Sequence, residues 1–409
     1  MTQYLQRGSD KPSLETDQSA VVESYHEGTG RVAVGAGAGT GKTTTLMDVV
    51  GEAVLQELFV AVPDDVSIEE WLDPQTEIQF SNPFEEILLT TFSNDAANEL
   101  KTRLKRRLRE HEQAVDYTLP VSIWSWIETG STISTIDSFF HELFTEIAPE
   151  LGISPDFDVQ SQLELQTIKE EIMHDLRQNH TEKVRNLENA YPAEEWRAYP
   201  PDDLETMLAK AQQRCREYCI TPLEAADSLL ENLDRGHAGI TPPYTMDDIT
   251  AIVSENVQED PAVRAPDPDT EREFVTHVEN TYERSRELAS DFGELLIEYD
   301  KLYDEYTREE GQFSHLDITH HLYEFLRENP NHPFTQALGS RYQHVFVDEF
   351  QDTSYAQTVV LSEFITDKPN PTNYLLIGDV KQSIYEWRSA EPAIFGRLLE
   401  HARGNGDHS

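Results

Sequence analysis

The sequence predicts an α/β fold: a parallel sheet flanked by helices and interrupted by a mostly helical insertion. Three observations predict it. Short apolar runs alternate with helix-like segments in the first third of the chain. The middle changes to a charged, Leu-punctuated helical pattern, and apolar runs return at 344–348 and 374–378. The 409 residues leave room for two or three domains. We divide them into a first part of the α/β domain over 1–151, the helical insertion over 152–311, and a second part over 312–409.

Taken in order, Arg31-Val-Ala-Val-Gly35 is a β-prone run, Ala36 to Gly41 is nearly all Gly and Ala, and Lys42 to Leu55 has helical spacing. That is a strand, a loop and a helix. A polar stretch rich in Pro and acid runs from Pro63 to Pro83. Ile87-Leu-Leu-Thr-Thr-Phe92 reads as a buried strand leading into a helix from Asn94 to Glu112, and Ile133-Ser-Thr-Ile136 as another, ahead of an apolar helix around Phe139 to Ile147. The insertion is broken at Pro200-Pro201, Pro242-Pro243 and Pro261 to Pro268. Two further strands, His344-Val-Phe-Val-Asp348 and Tyr374-Leu-Leu-Ile-Gly378, each end on an acidic or Gly-Asp terminus.

Composition bounds the function. There are 32 Lys and Arg against 77 Asp and Glu, a formal net charge of −45, yet 38% of the residues are hydrophobic, enough to bury a core. Two cysteines make no disulfide framework and no zinc spacing, which points to a reduced, cytoplasmic setting. The polar start from Met1 to Pro12 and the lack of any run near 18 apolar residues predict neither a standard secretion signal nor a membrane span. Strong acidity ordinarily argues against nucleic acid, whose phosphates attract clustered Lys and Arg. It also suits a halophile, where acid spread over the surface keeps a protein solvated in concentrated salt.

The chemistry is concentrated at strand ends. Ala36, Gly37, Ala38, Gly39, Thr40, Gly41, Lys42, Thr43 and Thr44 leave a strand and open a helix, as a phosphate-binding loop does. Glycines let successive N–H groups converge on phosphates, the helix N-terminus adds its dipole, Lys42 reaches the phosphates, and the Thr43 hydroxyl can ligate Mg²⁺. Such a loop needs an acidic partner at the end of a neighbouring strand. Asp348-Glu349 supplies it, with Asp348 for the metal and Glu349 to polarise the attacking water.

Asp348-Glu-Phe-Gln-Asp-Thr353 and Gly378-Asp-Val-Lys-Gln-Ser-Ile-Tyr-Glu-Trp-Arg388, with Ala36 to Thr43, resemble the superfamily 1A DNA helicases of the UvrD/Rep and RecB type in order and spacing. The resemblance covers essentially the whole chain. It implies a P-loop NTPase of RecA-like fold with ATP and Mg²⁺ as cofactors, and 3′ to 5′ translocation on single-stranded DNA. Leu14-Glu-Thr-Asp-Gln18 is similar to the Q motif, in which Gln18 would read the adenine edge. Thr91-Phe-Ser-Asn-Asp-Ala-Ala97 resembles motif Ia, which implies that Thr91, Phe92 and Asn94 line the DNA path; Phe92 reads equally well as core. Ile133 to Phe139 resembles motif Ib, with Asp137 where the RecB-like branch has His. Phe313 to Leu322 resembles the segment that re-enters the first RecA-like domain. Gln382 matches the γ-phosphate sensor of motif III, and Arg388 a link between ATP and DNA. Tyr385 and Trp387 match aromatics that stack on unpaired bases, contacts worth about 1–3 kcal/mol each; otherwise they pack a helix.

Three features lie outside those motifs. Lys101, Arg103, Lys105, Arg106, Arg107 and Arg109 form a basic run, either a solvated face or a phosphate-contacting element. His315, His320 and His321 lack the spacing of a metal site and read as surface or satisfied core histidines. Cys215 and Cys219, four apart on a helical pattern, read as buried packing residues sharing a face.

In the resembled family a second RecA-like domain supplies arginines that complete the ATP site. The sequence has no room for it after Arg388, nor for a nuclease domain. The expectation is therefore the N-terminal, ATP- and single-stranded-DNA-binding half of a helicase, better at binding nucleotide than at turning it over. The second half would come from a protein partner or from a missing C-terminal half. Two alternatives stand: a non-catalytic ATP/DNA-binding module, and a P-loop ATPase acting on something other than DNA. Whether the role is repair, recombination or replication restart stays open.

Overall fold

The computed structural model describes residues 16–27, 30–37, 39–60, 62, 68–72, 80–115, 117–161, 164–190, 203–240, 268–365, 372–379, 381 and 395. It divides into two compact units, one made of Met1–Pro155 with His315–Ser409, the other of Asp156–Ser314. The first unit begins with α1 (Thr16–His26), β1 (Arg31–Gly35), α2 (Lys42–Leu58), α3 (Ile68–Trp71), β2 (Ile87–Thr91), α4 (Asn94–Ala114), α5 (Val121–Thr129), β3 (Thr132–Thr135) and α6 (Ile136–Ile147). The second contains β4 (Asp158–Val159), α7 (Gln166–Asn179), α8 (Thr181–Ala190), α9 (Leu204–Glu217), α10 (Pro222–Ile240), α11 (Pro268–Glu310) and β5 (Gln312–Phe313). The first unit resumes with α12 (His315–Glu328), α13 (Pro333–Arg341), β6 (His344–Val347), α14 (Tyr355–Ile365) and β7 (Asn373–Gly378).

The main sheet is parallel throughout, in the order β1-β7-β6-β2-β3. Every residue of β2 and β6 is buried, which explains their unbroken apolar runs: a parallel sheet covered on both faces has no solvent side to alternate with. Val49, Val50 and Val54 of α2 and Leu100, Leu104 and Leu108 of α4 pack into the same core as Leu89, Phe346 and Leu375 of the sheet. The i, i+4 leucine stripe makes α4 amphipathic, and the Ser93 hydroxyl starts it by accepting from the Ala96 N–H at 3.2 Å. Thr135 caps α6 in the same way, accepting from Ser138 N–H at 3.0 Å.

One spatial expectation is corrected. The strand bearing the acid pair does not neighbour the loop's strand, because β7 lies between β1 and β6. Local composition does not encode that order; the packing of the crossover segments does. The two strands are then two spacings, roughly 10 Å, apart, a gap that two long side chains can close.

In the second unit, Ile172, Met173 and Leu176 of α7, Leu208 of α9 and Leu295, Tyr299 and Tyr303 of the 43-residue α11 form a core of their own. Arg216, 1% exposed, donates to Asp300 at 2.9 Å and Asp304 at 2.5 Å and lies over the Tyr303 ring. The cysteines are both buried, but they do not share a helix face. α9 ends at Glu217, and Cys219 adopts φ +54° beyond it. Ile220 N–H returns to Cys215 O at 3.0 Å, the wrap that closes helices through a left-handed residue, here without the usual glycine.

Candidate nucleotide and DNA site

Because the strands are parallel, their C-terminal ends share one sheet edge, the edge where ligands of open α/β sheets bind. Gly35, Gly378, Val347, Thr91 and Thr135 end there, so the Gly-rich loop, the acid pair and the segment after β2 are drawn together from distant stretches of sequence.

The loop is shaped by left-handed glycines, Gly39 at φ +74° and Gly41 at φ +82°. Gly41 is the N-cap of α2 and, being glycine, offers no side-chain oxygen to the helix's first N–H groups. A Cβ on Gly41 would lie 2.2 Å from Gln18 Nε2, and a Cβ on Gly39 would meet nothing within 4 Å. Thr40 Oγ1 donates to Gly37 O at 2.8 Å, closing the loop on itself. Gln18 Nε2 donates to Thr40 O at 2.8 Å, so the side chain expected to read an adenine also braces the loop. Thr43 is half-buried and Thr44 exposed.

Across the sheet edge, Lys42 Nζ lies 3.4 Å from Glu349 Oε2. Glu349 takes the left-handed conformation, φ +52°, and its N–H donates to Asp348 Oδ1 at 3.0 Å. A non-glycine residue there is strained, the kind of backbone that clusters at functional sites. Asp348 is buried, and burial, with the Glu349 charge beside it, pushes its carboxyl up to about 6 against the pull of the Glu349 N–H, Lys42 and Arg103. A desolvated carboxylate within reach of a lysine's charge suits a divalent cation, whose charge would restore the ionised form. Thr43 and Asp348 can hold Mg²⁺, and the loop with Lys42 can hold a triphosphate.

Two residues given no role by sequence reasoning complete the arrangement. Gln351, 2% exposed, donates from Nε2 to Glu349 Oε2 at 2.9 Å and to Asp352 Oδ2 at 3.2 Å, while its Oε1 accepts from Asp379 N–H at 2.7 Å. Asp379 Oδ1 accepts from Lys381 N–H at 3.0 Å. The available signal was a polar residue inside Asp348 to Thr353 at the end of a buried strand, where an amide must find partners.

Of the expected DNA contacts, Thr91 is fully buried with no hydrogen-bond partner for its hydroxyl among the described residues, Phe92 is half-buried and Asn94 exposed. Ala38, Gln382, Tyr385, Trp387 and Arg388 lie outside the described residues. The basic run divides: Arg106 and Arg109 are exposed, and several of the other cations are paired. Arg107 pairs with Asp48 of α2 at 2.5 Å, Arg103 with Glu99 at 2.5 Å and Lys105 with Glu128 of α5, while Arg109 lies over the Trp124 ring. Lys105, Arg107 and Arg109 tie α4 to its neighbours, while Arg103 pairs within the helix. Asp137, at the motif Ib position, accepts from Gln357 Nε2 of α14 at 2.8 Å.

His320 and His321 are core residues, buried around Glu324 at 3.3 and 3.7 Å, while His315 is exposed. Burial would raise the Glu324 carboxyl, yet the hydrogen bonds and charge of the two imidazoles hold it far below the usual range. Among the described residues no cluster of His, Cys, Asp and Glu could hold a metal by itself, and no helix is long and apolar enough to cross a membrane.

A family model described as the UvrD/REP helicase N-terminal domain matches residues 14–403. An ATP-dependent helicase/nuclease subunit from Natranaerobius thermophilus is 22% identical over 96% of this chain and 35% of its own length. A protein of the same name from Streptococcus mutans serotype c is 21% identical over 99% of this chain and 38% of its own. A third, from Lactococcus lactis subsp. cremoris, is 37% identical over 118 residues, 29% of this chain and 9% of the relative. The chain thus spans little more than a third of the relatives it matches along most of its length.

Proposed function

Because this chain belongs to the UvrD/REP helicase N-terminal domain family, we propose that it is the ATP- and single-stranded-DNA-binding half of a 3′ to 5′ helicase motor. The observation that carries the reading is the meeting of Lys42 with Glu349 at 3.4 Å, across an intervening strand and beside the buried Asp348. The N–H groups of the loop and Lys42 bind the triphosphate, Thr43 and Asp348 ligate Mg²⁺, and Gln18 selects adenine. Mg²⁺ neutralises charge on the phosphates and orients them. Glu349 positions the attacking water and accepts its proton, while Lys42 draws charge from the transferring phosphoryl group. Gln382 senses the γ-phosphate, and Phe92, Asn94, Tyr385, Trp387 and Arg388 hold the DNA strand, with Thr91 ending the strand behind them.

A second RecA-like domain, from a protein partner or a missing C-terminal half, brings the arginines that complete the site; the chain's span of little more than a third of its relatives supports this. The working setting is cytoplasmic, and the charge of −45 favours a salt-adapted one. A second reading is favoured by the internal pairing of the basic run: a P-loop ATPase or binding module whose partner is not DNA.

The test is ATP binding and hydrolysis by the 409-residue chain in concentrated salt, with and without single-stranded DNA. DNA-stimulated turnover supports a motor complete in itself. Nucleotide and DNA binding without turnover supports half of one. Nucleotide binding with no DNA binding at any salt concentration favours the second reading, and equal nucleotide affinity in Lys42→Ala overturns the site.

A further inference from the structure

We propose that Gln351 is a positioning residue that couples the nucleotide site to the end of β7, an inference that rests on the ATP-binding reading above. Its amide is oriented by its partners: the nitrogen can only donate to the carboxylates of Glu349 and Asp352, and the oxygen accepts from Asp379 N–H. One side chain therefore joins the residue assigned to the attacking water to the backbone of Gly378-Asp379, where the motif III stretch begins.

The surrounding geometry leaves that amide little freedom. A Cβ on Gly378 would lie 2.5 Å from Gln351 Oε1 and 3.1 Å from Gln351 N, so the approach needs glycine at this position. Gly378 O also accepts from Ala36 N–H at 2.9 Å, which anchors the start of the phosphate loop to the same peptide. Glu349 Oε2, in turn, is shared between Gln351 Nε2 at 2.9 Å and Lys42 Nζ at 3.4 Å. When a bound triphosphate draws Lys42 away, Gln351 becomes the main protein partner of that oxygen. The change is then passed through a desolvated amide to Asp379 N–H. Buried hydrogen bonds of this kind transmit a change because the alternative is an unsatisfied polar group.

The experiment is amide hydrogen exchange over residues 375–381 in the full 409-residue chain, with and without Mg²⁺ and a non-hydrolysable ATP analogue. It is run beside the affinity for a fluorescent ATP analogue and the thermal midpoint. In the wild type, nucleotide changes the exchange of this segment by at least about fivefold, the lower end of ordinary coupling between sites. Gln351→Met, which keeps the length and removes both hydrogen-bonding ends, is expected to abolish that response while binding nucleotide within a few-fold of wild type. Gln351→Leu removes the same two hydrogen-bonding ends with a branched, shorter side chain and is expected to do likewise, so a folding failure of either variant leaves the other to decide. A full response in a folded variant, or none in a wild type that binds nucleotide, overturns the coupling role and leaves the ATP site standing. A wild type that binds no nucleotide overturns both.

Discussion

Replacing Asp348 by Asn separates stability from function at one buried atom pair. The carboxyl is held at about 6 against an ordinary 3.8, by burial first and the Glu349 charge second. At about 1.4 kcal/mol per tenfold change in proton affinity, that gap makes ionised Asp348 a cost of about 3 kcal/mol to the fold. Because the folded pKa lies above the unfolded one, the folded protein retains a proton between about pH 4 and pH 6 that the unfolded chain has released. Stability from this group is therefore lost as pH rises through that window, and the cost is complete above about 6. Asn does not titrate, and its Oδ1 can still accept from Glu349 N–H. The variant should match wild type near pH 4 and exceed it by about 3 kcal/mol at pH 8. Urea unfolding at pH 5, where the gap should be about half as large, and at pH 8 measures this, with Trp124 and Trp126 of α5 reporting on the first unit. Saturating Mg·ATP should close or invert the gap at pH 8, because only the wild type gains binding energy from the metal. A gap that is independent of pH, or a variant less stable than wild type at pH 8, would refute the account of Asp348 as a desolvated carboxylate.

Other outcomes follow from the same geometry. Lys42→Ala should weaken Mg·ATP by roughly 10- to 100-fold, the worth of a charge-assisted contact, as read by a fluorescent analogue. Arg216→Ala leaves Asp300 and Asp304 without their buried partner and should cost the second unit about 3 kcal/mol, visible as an earlier unfolding transition. Trp387→Ala should lower affinity for oligo-dT by about 1–3 kcal/mol in concentrated salt while sparing nucleotide binding; an unchanged DNA affinity would remove Trp387 from the strand path.

Much of the first unit is legible in the sequence for a physical reason. β2 and β6 are buried on both faces, so their signal is an unmixed apolar run, and the loop before α2 needs glycines at Gly39 and Gly41 to reach positive φ. The change to helical spacing likewise marks the second unit, whereas the ladder of β4 and β5, two residues each, is too short to leave a periodicity. What is not legible is partnership at a distance. Lys105 and Arg107 look like part of a surface run until Glu128 and Asp48 arrive from other helices to meet them. Gln351 looks like an ordinary polar residue until its strand end is placed beside Asp379. Cys219 looks helical by spacing because a left-handed closure cannot be read from a residue that is not glycine.

The interleaving of the main sheet also sets a timetable for synthesis. Among the described residues β1 has a single strand partner, β7, which leaves the ribosome more than 300 residues later, and β2 pairs with β3 long before β6 arrives. At about 5–20 residues per second that delay is on the order of 20–60 s. Throughout it the apolar strands of the first 150 residues lack their central neighbours, while the contiguous insertion has all the chain it needs to fold. The nascent protein is therefore expected to complete its middle before its beginning, and to be most in need of a chaperone's protection in the interval before His344–Val347 and Asn373–Gly378 emerge.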